Sequence, residues 1–131
     1  MIPLVEGVWV SGQIRPEDVA DAAAKGVRTI VNNRPDREEP GQPSSAEIEA
    51  AARAAGLDYR HIPISGGFPS DSIAAMADAL GEGPVLAFCK SGTRSTFLWA
   101  LAEAGGGAEA EDLTAKAAAA GYDLGPIRAW L

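Results

Sequence analysis

The stretch from Pro84 to Leu101, PVLAFCKSGTRSTFLWAL, constrains this chain more than any other. Pro84 to Phe88 is a short apolar run of the kind that forms a strand buried on both faces. From Ser95 onward the apolar residues suit a helix. Between them, Cys89 to Arg94 is a tight loop holding the only cysteine of the protein, one glycine and a closing arginine. Gly92 gives the backbone the freedom to turn its N–H groups inward. Those amides, the positive end of the helix and the guanidinium of Arg94 then converge on one point, an anion cradle. A thiolate beneath that point is stabilised by the same field. Cys89 is therefore expected to have a lowered pKa and to act as a nucleophile near neutral pH. Lys90, Ser91, Gly92 and Thr93 are the candidate anion-binding residues of the loop.

A lone cysteine after an apolar strand is commonly just a small buried hydrophobe. Gly92, Arg94 and the Ser95-Thr96 helix opening argue for the functional reading. The loop is not a nucleotide-binding P-loop, because the residue before Lys90 is Cys89 where that motif needs glycine.

The chain has 131 residues, enough for a single domain with its own core, and one domain over residues 1–131 is expected. The net charge of −7 opposes a nucleic-acid partner, since binding the phosphate backbone needs a basic face. No apolar run approaches membrane-spanning length, and MIPLVEGVWV has no basic leader. One cysteine cannot form an internal disulfide, so a reducing cytoplasm is the expected compartment. One His and one Cys leave no protein ligand set for zinc, and neither a metal nor a cofactor is expected.

Taken in order, Ile2 to Ser11 reads as an edge strand or hairpin. Pro16 suits the first position of a helix that runs to Lys25 and stops at Gly26. Arg28 to Asn33 is a buried strand, and Arg34 to Pro43 a proline-rich loop. Ser44 and Glu47 form a capping box for a helix through Ala55. Asp58 to Ile64 is the next strand, followed by a glycine-rich loop from Ser65 to Pro69. Ser70 caps a helix carrying Ile73, Met76, Ala77 and Leu80. After the cysteine loop, Thr96 to Ala104 is a helix with Phe97, Leu98 and Leu101 inward. Gly105 to Gly107 breaks it, Ala110 to Ala120 forms another, and Gly125 to Leu131 adds a turn. Trp9, Trp99 and Trp130 are expected in or at the edge of the core.

This alternation predicts an α/β fold: a three-layer domain with a mostly parallel central sheet of about 4–5 strands flanked by helices. Ligands bind such sheets outside the carboxyl ends of the strands. The loops Asn32 to Pro43, Ser65 to Pro69 and Cys89 to Arg94 should meet there. Asn33 could orient the cysteine loop, and Arg34 could belong to a substrate-recognition rim. Asp36 is either a rim salt bridge or a general acid. His61 reads as a structural histidine.

CKSGTRS resembles the active loop of cysteine-dependent phosphatases and of rhodaneses. The whole chain is similar to one bacterial family, the β-lactamase-hydrolase-like phosphatase-like domain. The similarity rests on VSGQI, TIVNNRPD, EEPGQPS, YRHIPI, CKSGTRS and AGYD. It implies a dual-specificity-phosphatase-like fold and an enzyme of phosphatase or sulfurtransferase type.

In the phosphatase reading, Cys89 attacks phosphorus and Arg94 with the loop amides holds the equatorial oxygens. Ser95 then eases departure of the thiolate, and an acid protonates the leaving group. The chain departs from that pattern in three places. Its loop is one residue shorter, Phe88 stands where the signature has histidine, and Ser65-Gly66-Gly67 replaces the expected aspartate. Asp36 and Asp71 remain as acids. In the sulfurtransferase reading, the rhodanese-length loop stabilises a persulfide on Cys89, and sulfite leaves without protonation. The resemblance also implies a sulfur-metabolism partner enzyme. The substrate is a small anion on either reading: a phosphate ester, or thiosulfate or a persulfide. A third reading keeps the loop as a non-catalytic anion- or partner-binding module.

Overall fold

The computed structural model describes all residues, Met1–Leu131. The strands are β1 (Ile2–Val5), β2 (Val8–Ser11), β3 (Thr29–Asn32), β4 (Asp58–His61) and β5 (Val85–Phe88). The helices are α1 (Val19–Ala24), α2 (Ser45–Ala54), α3 (Ser70–Leu80), α4 (Thr93–Gly105) and α5 (Ala110–Ala119). A 3-10 turn at Pro16–Asp18 leads into α1, and another at Gly125–Trp130 closes the chain. The five strands make one sheet in the order β1-β2-β5-β3-β4. β1 and β2 pair antiparallel, and the other three pairings are parallel.

Alternate residues of the central strands feed two separate cores. Val85 and Ala87 of β5 join Val10, Val31, Met76, Leu98 and Trp99 on one face. Leu86 and Phe88 join Ile30, Ile48, Ala52 and Tyr59 on the other. Both faces of β5 are covered, which is why its sequence is a continuous apolar run and not an alternation. α4 packs across the first core and is buried through most of its circumference, with Ser95, Thr96 and Leu98–Ala102 all inside.

The register sets the site. Phe88 pairs with both Ser11 and Asn32, and Asn32 pairs with His61. The carboxyl ends of all four parallel strands are therefore level, and the segments after β2, β3, β4 and β5 emerge side by side.

Several element bounds differ from the sequence expectation. α4 opens at Thr93, so Thr93 and Arg94 belong to the helix and the loop proper ends at Gly92. β4 stops at His61, yet Ile62 and Ile64 still donate to the carbonyls of Asn32 and Asn33. Ser70 is the first residue of α3 and makes no capping bond. Ser44 caps α2 as expected, accepting from the Glu47 amide at 3.1 Å. Trp99 is buried, but Trp130 is 68 % exposed and lies outside the core. Phe97 is only partly buried. No helix is long and apolar enough to cross a membrane.

Candidate active site

Cys89 follows β5 directly, is fully buried, and is a free thiol. The amide of Cys89 still donates to Ser11 O at 3.2 Å, so the sheet ladder fixes the position of the thiol. Three residues later the Gly92 amide donates to Sγ at 3.1 Å. Gly92 has φ +89°, and a Cβ there would lie 2.2 Å from the hydroxyl of Tyr122. Backbone and space both demand glycine. Burial pushes the Cys89 thiol up, but the amides of Ser95, Ser91 and Gly92 and the Ser95 hydroxyl outweigh it, and the net shift is downward.

Ser95 and Asn33 are both buried, and the Ser95 hydroxyl donates to Asn33 Oδ1 at 2.8 Å. Asn33 Nδ2 in turn donates to Ile62 O at 2.9 Å. Asn33 thus sets the orientation of Ser95, and touches the thiol only through it. A serine has one proton to give. Donation to a thiolate means rotating away from Asn33.

The guanidinium of Arg94 accounts for itself donor by donor. Nη1 donates to Glu38 Oε2 at 2.8 Å and to Ile64 O at 2.9 Å. Nη2 donates to Glu38 Oε1 at 2.8 Å. Of five N–H donors, the Nε proton and one Nη2 proton remain. They share one edge, a fork suited to two oxygens of an anion. Glu38 and the charge of the Cys89 thiolate both favour the cationic form of Arg94.

Glu38 was not among the residues singled out from the sequence. It also accepts from Arg34 Nε at 2.8 Å. Hydrogen bonding to Arg94 first, then to Arg34, holds its carboxyl down at about 2. Arg34 is 4 % exposed, and its remaining nitrogens reach Gln13 at 3.0 Å and Glu39 at 2.6 Å. It is a buried strut of the rim, not a group free to meet substrate. Glu39 pairs with Lys90 at 3.1 Å. The EEPGQPS run held the one available signal, two adjacent carboxylates after two arginines, but spacing alone does not say which cation each takes.

The other expected residues fall as follows. Ser91 and Thr93 hydrogen-bond through their hydroxyls at 3.1 Å. Lys90 is exposed at the loop's edge and carries its ion pair to Glu39. Asp36 is at the start of α2, where Oδ1 accepts from the Ser45 amide at 2.7 Å, and it makes no hydrogen bond to the cysteine loop. Its observed contact is that of a helix-start anchor. His61 Nε2 meets the Arg34 carbonyl at 2.8 Å; a carbonyl only accepts, so the proton is on Nε2 and the histidine is structural. Tyr122, from the AGYD stretch, donates to Ser91 O at 3.1 Å. Gly12 also lies against the loop: a Cβ there would be 2.9 Å from Lys90 O. The loop is clamped from both sides.

Residues 2–106 match the family described as beta-lactamase hydrolase-like protein, phosphatase-like domain. The chain belongs to that family. This phosphatase-like domain is 39% identical over 135 residues to the beta-lactamase hydrolase-like protein of Xylella fastidiosa, a match covering 100% of the chain and 31% of that relative. The domain therefore spans about a third of the length of the curated relative it matches. Among solved structures, a candidate phosphatase from Neisseria meningitidis shares 32% identity with a TM-score of 0.84, covering 98% of this chain and 93% of that one. The core catalytic domain of the PP-IP phosphatase Siw14 from S. cerevisiae shares 17% identity with a TM-score of 0.63 over 86% of this chain and 70% of its own, a likeness of fold. The neighbours establish a cysteine-phosphatase-like α/β fold, as the sequence led one to expect.

Proposed function

We propose that this phosphatase-like domain is a cysteine-dependent phosphatase. The observation that carries the reading is a buried thiol under the Gly92 amide that interacts with Arg94, whose Nε edge has no protein oxygen partner. The Cys89 thiolate attacks phosphorus, an S–P bond forms, and the ester P–O bond breaks with its electron pair on the leaving oxygen. The fork of Arg94 and the amides at the start of α4 hold the non-bridging oxygens through the charge-developing step. Water then attacks the phosphocysteine, releasing inorganic phosphate, and the Ser95 hydroxyl turns to donate to the departing thiolate.

A second reading draws on one feature of the same site. Glu38, the carboxylate bound to Arg94, is ionised throughout the neutral range, so it has no proton for a leaving group. A group that leaves readily as an anion suits such a site. In sulfur transfer from thiosulfate, the thiolate attacks the outer sulfur, an S–S bond forms, and sulfite departs with the electron pair of the broken bond. The product is a Cys89 persulfide awaiting an external acceptor.

One experiment addresses both. The protein and its Cys89→Ser variant are incubated separately with an aryl phosphate and with thiosulfate, following phosphate release and intact mass. Cys89-dependent phosphate release without a sulfur adduct supports the phosphatase. A gain of one sulfur atom, removed by cyanide, with no phosphate release establishes the sulfurtransferase. Absence of both leaves an anion-binding module and overturns the enzymatic assignment.

A further inference from the structure

Arg94 is also a wall of a second feature, an open cleft of about 780 Å³. The cleft begins where the anion cradle ends, and its character changes at once. Beyond Arg94 the lining is apolar: Phe68, Ile73, Phe97, Leu101, Ile127 and Trp130. No other charged side chain lines it. Phe68 and Phe97 meet edge to face, with ring centroids 6.2 Å apart. Gly66 and Gly67 complete the wall, and a Cβ at either would meet nothing within 4 Å, so the loop after β4 leaves the mouth open.

Trp130 is also part of the lining. It is 68 % exposed, although water is a poor environment for so large an apolar surface. It is not on a loose tail. Ile127 of the same 3-10 turn is 2 % exposed in the core, and Arg128 is tied to Thr114 of α5. The turn thus presents the indole ring at a fixed place in the wall of the cleft that Arg94 also lines. It also lies outside residues 2–106, the part of the chain that matches the family model. Glu38 and Glu39, outside this lining, pair with Arg34 and Lys90 and leave exposed Arg37 as the unpaired cation of that loop.

From the continuity of cleft and cradle through Arg94, we propose that the cleft is the leaving-group subsite, that it takes a flat apolar group of aryl size carrying a single phosphate, and that Trp130 is the residue that selects it. The assignment rests on the phosphatase reading. A second phosphate placed in the cleft would meet apolar walls, so the cleft itself favours a substrate with a single phosphate.

The test uses two probes on the Cys89→Ser protein, which binds without turnover: inorganic phosphate and 2-naphthyl phosphate, measured by calorimetry. Naphthyl phosphate is expected to bind at least about tenfold tighter than phosphate, from aromatic contact and apolar burial. Adding Trp130→Ala should remove most of that advantage while leaving phosphate binding within about twofold, and Trp130→Phe should restore part of it. If the two probes bind alike, or the advantage survives Trp130→Ala, the subsite is wrong and the cradle stands. If naphthyl phosphate gains nothing and the protein dimerises through Trp130, the cleft is covered by a second copy and the proposal fails. If neither probe binds, the anion site itself is wrong and the subsite falls with it.

Discussion

Glu38 grips Arg94 through both carboxylate oxygens, each at 2.8 Å, across 56 positions of sequence. The pair does not compete with an anion for the guanidinium. It occupies the Nη1–Nη2 edge, together with Ile64 O, and leaves the Nε edge without a protein oxygen partner. The carboxylate is in turn held by buried Arg34, so the orientation of the Arg94 guanidinium depends on a chain of three charges.

Glu38→Gln keeps the shape of that chain but offers Arg94 only one oxygen and no charge. A charge-assisted hydrogen bond is worth about 1.5–3 kcal/mol, so kcat/KM should fall roughly tenfold to a hundredfold. Steady-state kinetics on an aryl phosphate decides it. A variant as active as the parent would show that Glu38 is a rim charge without a positioning role.

Arg94→Lys retains the charge and loses the fork. Turnover is expected to drop about a hundredfold, the order seen when one preorganised transition-state donor is removed. Cys89→Ser should abolish turnover with the fold intact, read by circular dichroism alongside the assay. Residual turnover in Cys89→Ser would remove the thiol from the mechanism.

Ser95→Ala takes one donor from the thiolate and should raise the Cys89 pKa, which otherwise lies below the ordinary thiol value. The rate of alkylation by iodoacetamide, followed against pH, reports the shift directly. Its midpoint should move to higher pH, and an unmoved midpoint would assign thiolate stabilisation to the backbone amides alone.

The Glu38 carboxyl has a folded-state pKa of about 2 against an ordinary value of 4.5. A depressed carboxylate contributes its stability above the unfolded value and loses it as pH falls through the folded one. Acid unfolding of the parent should therefore steepen between about pH 4.5 and 2. Glu38→Gln should show a flatter dependence in that window by denaturant titration, and identical curves would mean the ion pair adds nothing to the fold.

Gly92→Ala forces a side chain into the left-handed backbone and onto the Tyr122 hydroxyl. The backbone term alone costs about 1–2 kcal/mol. Adding Tyr122→Phe removes only part of the clash, so the double variant should stay less stable than the parent in thermal unfolding. Full recovery in the double variant would place the whole requirement at the hydroxyl contact.

What the sequence determined by itself is the part written in local signals. The apolar run before Cys89, the Gly92 turn and the helix after it are neighbours along the chain, and a continuous apolar stretch, a glycine and a helical pattern report them without knowledge of the fold. Ser44 with Glu47 marked the start of α2 for the same reason. The parallel sheet followed from the alternation of such elements. The tertiary structure alone decided which side chains meet. Glu38 reaches Arg94, Tyr122 seats against Gly92 and Trp130 walls the cleft because strand order and register bring the ends of β2, β3, β4 and β5 level, with the C-terminal segment beside them. Asp36 and Arg34 went to other duties on the same account: a charge takes whichever partner the packed loops place within reach, and that distance is set by the whole fold, not by the residues on either side.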